Sequence, residues 1–308
     1  MRQSTNQLTV IGKLKRKEVK FGTTTNGDNT ITVDLVVTSE FENKVHENKI
    51  RLWSKESSKL YKGYETVARE YKTEEEHGAE CADRVKVTGN LEMNEYVSKT
   101  DGELKTLNNL RGVFIERVTN PEVKDEVGAA VECVVLGYVD EVSKTGSPTG
   151  RKKVTLYTVG YNNSISELQN VFVGADVAQQ FTRLYQPNTT GRLFLKVNNY
   201  VEVEEAAQAA QPMTLGFGVT LDNMPSDNVV RNYVNEVVII GGDVPNVANK
   251  YTLEEIAEMK KLRELARQEK MAVSPQPPAQ PAAPSGFGNG FDTSDFSGAI
   301  EESEIPFF

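Results

Sequence analysis

Apolar and polar residues alternate along most of the first 120 positions, the two-residue period of half-buried β-strands. In 7–14, Leu8, Val10 and Leu14 share one face, with Thr9 and Lys13 on the other. Ile31, Val33, Leu35 and Val37 repeat the pattern. The stretch 49–53 then turns Ile50 and Leu52 inward and Lys49, Arg51 and Trp53 outward. Asn26-Gly27 between the first two runs is a hairpin signal, because both residues tolerate the positive φ of a tight turn. At 58–71 the period changes: Leu60, Tyr64, Val67 and Ala68 recur at helical steps of three and four. A charged loop at 74–80 follows. Strands resume at 84–91, with Arg84 and Lys86 outward, and at 110–118, after an Asp101-Gly102 turn. Five short strands with a helix between the third and fourth is the element order of an OB-fold barrel.

The plan repeats at an offset of about 125 residues. Leu136-Gly137-Tyr138 echoes Val10-Ile11-Gly12, and a Gly/Pro/Ser turn at 144–150 precedes a strand at 154–159. A third strand at 171–173 leads to a short helix at 176–185, with Asp176 as its cap candidate. Strands at 192–201 and 234–240 complete the set. Thr252-Leu253-Glu254-Glu255 is a capping box opening a helix to about Met271, with Leu253, Ile256, Met259 or Ala257, Leu262 and Leu265 as its apolar stripe. That helix is expected to pack on the second barrel or to mediate self-association. Five prolines and no charge in 274–284 mark a linker that cannot build a core. The fold class is therefore mainly β: two tandem five-stranded Greek-key OB-fold barrels, a C-terminal helix and a disordered acidic tail. The expected divisions are 1–122, 126–246, 251–272, 273–300 and 301–308.

Composition adds the charge distribution. The net charge of −9 is uneven: residues 1–124 sum to +1, 125–245 to −6 and 246–308 to −4. Six bases (Arg2, Lys13, Lys15, Arg16, Lys17, Lys20) stand against one acid within the first 20 residues, and phosphate binding depends on such a local stripe more than on the total. Two distant cysteines, Cys81 and Cys133, give neither a disulfide framework nor a zinc spacing, and the expectation is a reducing cytoplasm. No apolar run approaches the length of a membrane span, and the first residues lack a signal-like apolar stretch.

Several motifs together resemble bacterial and phage single-stranded-DNA-binding proteins. They are Asn48–Trp53, Tyr61-Lys62-Gly63 in the helix, Val85-Lys86-Val87-Thr88-Gly89-Asn90-Leu91, Tyr96, and a terminal Ile305-Pro306-Phe307-Phe308 after Glu301, Glu302 and Glu304. Two barrels in one chain resemble a bacteriophage version more than a bacterial housekeeping one. The resemblance implies a protein that coats single-stranded DNA in replication, recombination and repair, working in the host cytoplasm if phage-encoded. It also implies that Trp53 and Tyr96 stack on bases. The tail would recruit a polymerase, helicase, primase or nuclease through Glu301, Glu302, Glu304, Ile305, Pro306, Phe307 and Phe308. The second terminal phenylalanine departs from the family's usual single one.

The residues by themselves point the same way. Single-stranded DNA exposes phosphates along one edge and π-faces along the other, so its binder needs a basic track interleaved with aromatics. Lys13, Lys15, Arg16, Lys20, Lys49, Arg51 and Lys86 are the candidate track; Trp53, Tyr61 and Tyr96, with Phe21, are the candidate platforms. Arg192, Phe194, Lys196 and Tyr200 are the second barrel's candidates, for DNA or for a contact between barrels. No phosphate-binding GxxxxGK[ST] loop is present, His46 and His77 stand alone, and the carboxylates at 74–76 belong to a charge run. The expectation is a non-enzyme with no cofactor or metal. A protein-interaction adaptor and a β-rich virion protein stay open as alternatives.

Overall fold

The structure is a computed structural model; it describes residues 1–98, 100, 102–143, 145–205 and 229–273. β1 (Asn6–Thr23), β2 (Asn29–Phe41) and β3 (Lys44–Lys55) form an antiparallel meander. β4 (Arg84–Val97) pairs with the first half of β1, and β5 (Leu104–Arg117) pairs antiparallel with β4 and parallel with β3. The closed order β1-β2-β3-β5-β4-β1 is that of an OB-fold barrel. Its interior is filled by the alternating residues Leu8, Val10, Leu14, Ile31, Val33, Leu35, Ile50, Leu52, Val85 and Val87, all buried. α1 (Leu60–Glu70) sets Tyr64 and Val67 into the same core, and Tyr64 Oη donates to the Val113 carbonyl (2.8 Å).

β6 (Glu126–Val142), β7 (Pro148–Val159), β8 (Ile165–Val173), β9 (Thr189–Glu205) and β10 (Val229–Gly242) close in the same order, with β8–β10 the parallel pair. The third strand is longer than the expected 171–173, because Leu168 also points into the barrel and Ile165, on the opposite face, is buried beneath the C-terminal helix. The helix before β9 is α3 (Ala178–Leu184), and its start carries no side-chain cap, so Asp176 does not fill that role. The 74–80 loop contains a one-turn helix, α2 (Glu74–His77), because Thr73 Oγ1 accepts from the Glu76 amide (3.2 Å).

Antiparallel pairing of β1 with β6 and one bridge between β3 and β9 join the barrels into one ten-stranded sheet. The first residues also cross the joint: Arg2 forms a two-pronged ion pair with Glu132 of β6 (2.5 and 2.6 Å). Glu132 is held below the usual carboxylate range by that hydrogen bond.

The capping box at Thr252 and Glu255 forms in both directions, at 3.2 and 2.8 Å, and starts α4 (Leu253–Val273). Ile256 and Met259 bury against Val134, Val159 and Ile165 of the second barrel, whereas Leu253 and Leu265 are exposed. The stripe is narrower than expected because its next turn carries Arg263, whose buried guanidinium pairs with Glu95 of the first barrel. α4 thus touches both barrels.

Candidate nucleic-acid interface

Register across β1, β2 and β3 sets the outer face of the first barrel. Arg16 lies opposite Val36, which lies opposite Lys49. Glu18, Asp34 and Arg51 form the next row, and Lys20, Thr32 and Trp53 the third. Laterally paired residues project to the same side of a sheet. Arg16, Lys20, Lys49, Arg51 and Trp53 therefore share one surface. Parallel pairing continues the middle row from Arg51 to Arg111 on β5. Two close backbone approaches allow this crossing. A Cβ on Gly89 would lie 1.9 Å from the Arg111 carbonyl oxygen, and one on Gly112 would lie 2.4 Å from Leu52 Cδ2. Alternation along β4 from Asn90 through Glu92 and Asn94 puts Tyr96 on this face too, opposite Lys105 on the β4–β5 ribbon. Trp53 is 40% and Tyr96 38% exposed, enough for one ring face of each to meet a ligand.

Electrostatically the surface is basic but internally paired. Asp34 accepts from Arg51 Nε at 2.6 Å and lies 3.9 Å from Lys20 Nζ, Glu18 lies 2.9 Å from Lys20, and Glu92 lies 3.4 Å from Arg111. These pairs are exposed and hence weak, so an incoming phosphate competes with them at small cost. Arg16 makes no ion pair among the described residues.

The predicted track divides in two at a β-bulge between Leu14 and Arg16. Before the bulge, odd positions point outward; after it, even positions do. Arg16 and Lys20 reach the Trp53 face, and Lys17 turns inward to bond the Tyr71 carbonyl (2.6 Å). Lys13 and Lys15 instead line a separate cleft of about 450 Å³ with Glu40, Glu47, Arg84 and Asp125, where Lys15 pairs with Glu47 and Arg84 with Asp125. Lys86 faces Glu116 (3.4 Å) on the β1–β4 side of the barrel. Tyr61 is half-buried against the core, and Phe21 is 66% exposed towards the end of β1.

In the second barrel Arg192 sits 5.7 Å from the centre of the Phe194 ring. Lys196 and Tyr200 lie in the seam between barrels: Lys196 pairs with Glu42 (2.6 Å), and Lys44 lies 3.8 Å from the Tyr200 ring centre. His46 is buried in the same seam, stacked on Phe41 at 3.7 Å and edge-on to Tyr200 at 5.2 Å. Its Nδ1 accepts from the Asn199 amide (3.2 Å). Burial pushes its pKa down to about 4.

Sequence reasoning missed Arg111 and the second barrel's own outer row. Pairing sets Val139, Lys153, Phe172 and Val238 where the first barrel has Glu18, Asp34, Arg51 and Arg111. Arg151 lies 4.5 Å from the Phe172 ring centre and pairs with Glu236 (2.6 Å). The Arg151-Lys152-Lys153 run was the available signal. The tail candidates Glu301, Glu302, Glu304, Ile305, Pro306, Phe307 and Phe308 lie outside the described residues. Among the described residues no cluster of His, Cys, Asp and Glu could hold a metal ion, and no helix is long and apolar enough to cross a membrane.

Fold and topology define a tandem OB-fold protein. Residues 4–272 match the profile of the YorF family, and the chain belongs to that family. No curated protein matches its sequence. Among solved structures it is similar to the wild-type single-stranded DNA binding protein from Thermus aquaticus, with TM-score 0.47 and 13% identity over 82% of this chain and 99% of that one. It is also similar to the small single-stranded DNA-binding protein from Streptomyces coelicolor, with TM-score 0.26 and 18% identity over 39% of this chain and 97% of that one.

Proposed function

We propose that the outer face of the first barrel binds single-stranded DNA without sequence preference. The observation that carries this reading is the register-aligned surface of Arg16, Lys20, Lys49, Arg51 and Arg111 with Trp53 and Tyr96 on the same side. Cations spaced along a curved sheet follow a phosphate backbone, and a half-exposed indole offers any base a stacking surface. In this reading the protein coats strands during replication, recombination or repair in a cytoplasm, phage-infected or not, and is not an enzyme. Residues 301–308 recruit a polymerase, helicase, primase or nuclease.

Trp53 is the only tryptophan, so its fluorescence reports one site. Titration with oligo(dT) at low salt is expected to quench it, and added NaCl to restore it. Neutralising about five phosphates gives a slope of log K against log salt near −3.5, at roughly −0.7 per phosphate. Removing residues 301–308 should leave affinity unchanged or raise it, since the acids compete with phosphate. Absence of binding by fluorescence and gel shift at micromolar protein overturns the reading.

A further inference from the structure

Asn26-Gly27 closes the β1–β2 hairpin and differs chemically from the other asparagine turns of the molecule. Asn43, Asn162, Asn163, Asn170 and Asn188 all hold positive φ, between 51 and 67°, and each is followed by a residue with a side chain. Among the described residues Asn26 is the one asparagine followed by glycine. The positive φ of its turn (86°) falls on Gly27, so Asn26 itself keeps an ordinary backbone. Asn26 is exposed, and its side-chain amide makes no hydrogen bond among the described residues. A Cβ built on Gly27 would meet nothing within 4 Å. The carboxamide and the next backbone nitrogen therefore share open solvent, with no side chain between them.

Three hydrogen bonds hold the tip. The Thr24 amide donates to the Asp28 carbonyl (2.8 Å), the Gly27 amide to the Thr24 carbonyl (2.9 Å) and the Asp28 amide to Thr24 Oγ1 (3.1 Å). All three lie at the exposed end of the hairpin, where local opening costs least. Opening of the Gly27 bond frees a backbone nitrogen beside the Asn26 side chain.

We propose that Asn26 is a site of spontaneous deamidation and that its conversion weakens strand binding by the first barrel; the second part rests on the DNA-binding reading above. The Gly27 nitrogen gives its proton to solvent base and forms a bond to Asn26 Cγ. The bond from Cγ to the side-chain nitrogen breaks, and that nitrogen leaves as ammonia with a proton from solvent. One water then adds to either carbonyl of the cyclic imide and reopens it as aspartate or isoaspartate. The balance is one water in and one ammonia out, with no change of oxidation state. A neutral amide has become a carboxylate.

That charge arises beside the cations of the outer face. Register puts Gly22, Thr30 and Lys55 in the row after Lys20, Thr32 and Trp53, about 7 Å further along the strands. Lys55 Nζ lies 2.8 Å from Asp28, and its hydrogen bond holds that carboxyl below the usual range. A carboxylate two residues before Asp28 competes for Lys55 and repels an incoming phosphate. The isoaspartate form also adds a methylene to the backbone of the turn, which lengthens the ring that the three hydrogen bonds close.

Incubation of the full chain in warm buffer, at neutral and mildly alkaline pH, followed by tryptic peptide mapping, reads the chemistry without DNA. Cleavage after Lys20 and Lys44 separates Asn26 from Asn289-Gly290, the chain's other pair of this kind. The expected result is acid-for-amide exchange at Asn26 in two chromatographic forms, faster at the higher pH, with Asn29 and Asn43 of the same peptide intact. Asn26→Gln, whose longer side chain closes a less favoured ring, should resist it. Affinity for labelled oligo(dT), read by anisotropy, should fall about two- to fivefold in the aged chain and in Asn26→Asp, the scale of one exposed charge. Ageing should leave the affinity of Asn26→Gln unchanged, which separates conversion at Asn26 from any at Asn289. An Asn26 that survives as long as Asn29 overturns the site. Equal binding by the fresh chain, the aged chain and Asn26→Asp overturns its effect. A fresh chain that binds no oligonucleotide fails the DNA-binding reading instead, and the site is then decided by mass alone.

Discussion

The two barrels share one topology and differ on the surface that each turns outward. In the first, the row Glu18–Asp34–Arg51–Arg111 alternates in sign and is flanked by Trp53; in the second, the equivalent row is Val139–Lys153–Phe172–Val238. Their ribbons, β4–β5 and β9–β10, differ in the opposite sense. The first ribbon's inner face is ionic and sealed by Arg263, and the second's, with Val201, Val203 and Tyr233, is apolar and exposed among the described residues. A barrel's core is built from its inward positions, which leaves most outward positions free to serve different partners. Duplication of the fold has not duplicated the surface.

Four measurements sharpen or break this comparison, beginning with the largest effect. Glu95 owes its charge to α4: burial by itself raises its pKa, and the hydrogen bond and charge of Arg263, with Lys270, more than offset this and hold it lowered. Arg263→Met leaves that carboxylate buried without its main partner and should cost about 3–5 kcal/mol in thermal or urea unfolding. Adding Glu95→Val, the residue at the equivalent position on the other ribbon, should recover most of the loss. If the double variant is no more stable than the single, the two ribbons are not interchangeable scaffolds.

The seam should respond to acid through His46. Its folded pKa of about 4 lies below the ordinary value of 6.5. Above 6.5 neither the folded nor the unfolded state binds the proton. As pH falls below 6.5 the unfolded chain takes it up first, so stability declines until about pH 4, by about 3 kcal/mol at one pKa unit per 1.36 kcal/mol. Unfolding midpoints of His46→Gln should be flatter across that window; an identical pH dependence would clear His46 of the effect.

On the outer faces, Trp53→Ala should lower affinity for labelled oligo(dT) by about 1–3 kcal/mol, measured by anisotropy because the native fluorophore is gone. Phe172→Ala should cost less, since Arg151 already covers that ring at 4.5 Å. The reverse order would move the main DNA path to the second barrel. Smallest of all, Asp34→Asn removes a carboxylate that competes for Arg51 and Lys20, and should raise affinity by at most about 1 kcal/mol, the scale of an exposed ion pair. Weaker binding would mean that Asp34 holds Arg51 in position for phosphate.

Much of this protein follows from local pattern. Alternation marked the inward faces of nearly every strand, helical spacing marked α1 and α4, and the capping box at Thr252 formed as its sequence implies. Those signals act between neighbours in the chain and are readable for that reason. Other features were not. Position 15 gives no hint of the bulge that reverses the outward parity of β1 and parts Lys13 and Lys15 from Arg16 and Lys20. Arg111 looked like one more polar strand residue until parallel pairing set it beside Arg51. Arg263 does fall on the stripe of Ile256 and Met259, yet its partner Glu95 is 168 positions away.

Sequence alone therefore determined the element types, their order in two barrels and the composition of the core, because burial of alternating side chains is decided strand by strand. Tertiary structure decided which cations share a face with Trp53 and which of the two ribbons is sealed by α4. Those outcomes depend on register and on contacts between barrels, and the same local pattern is compatible with several of them.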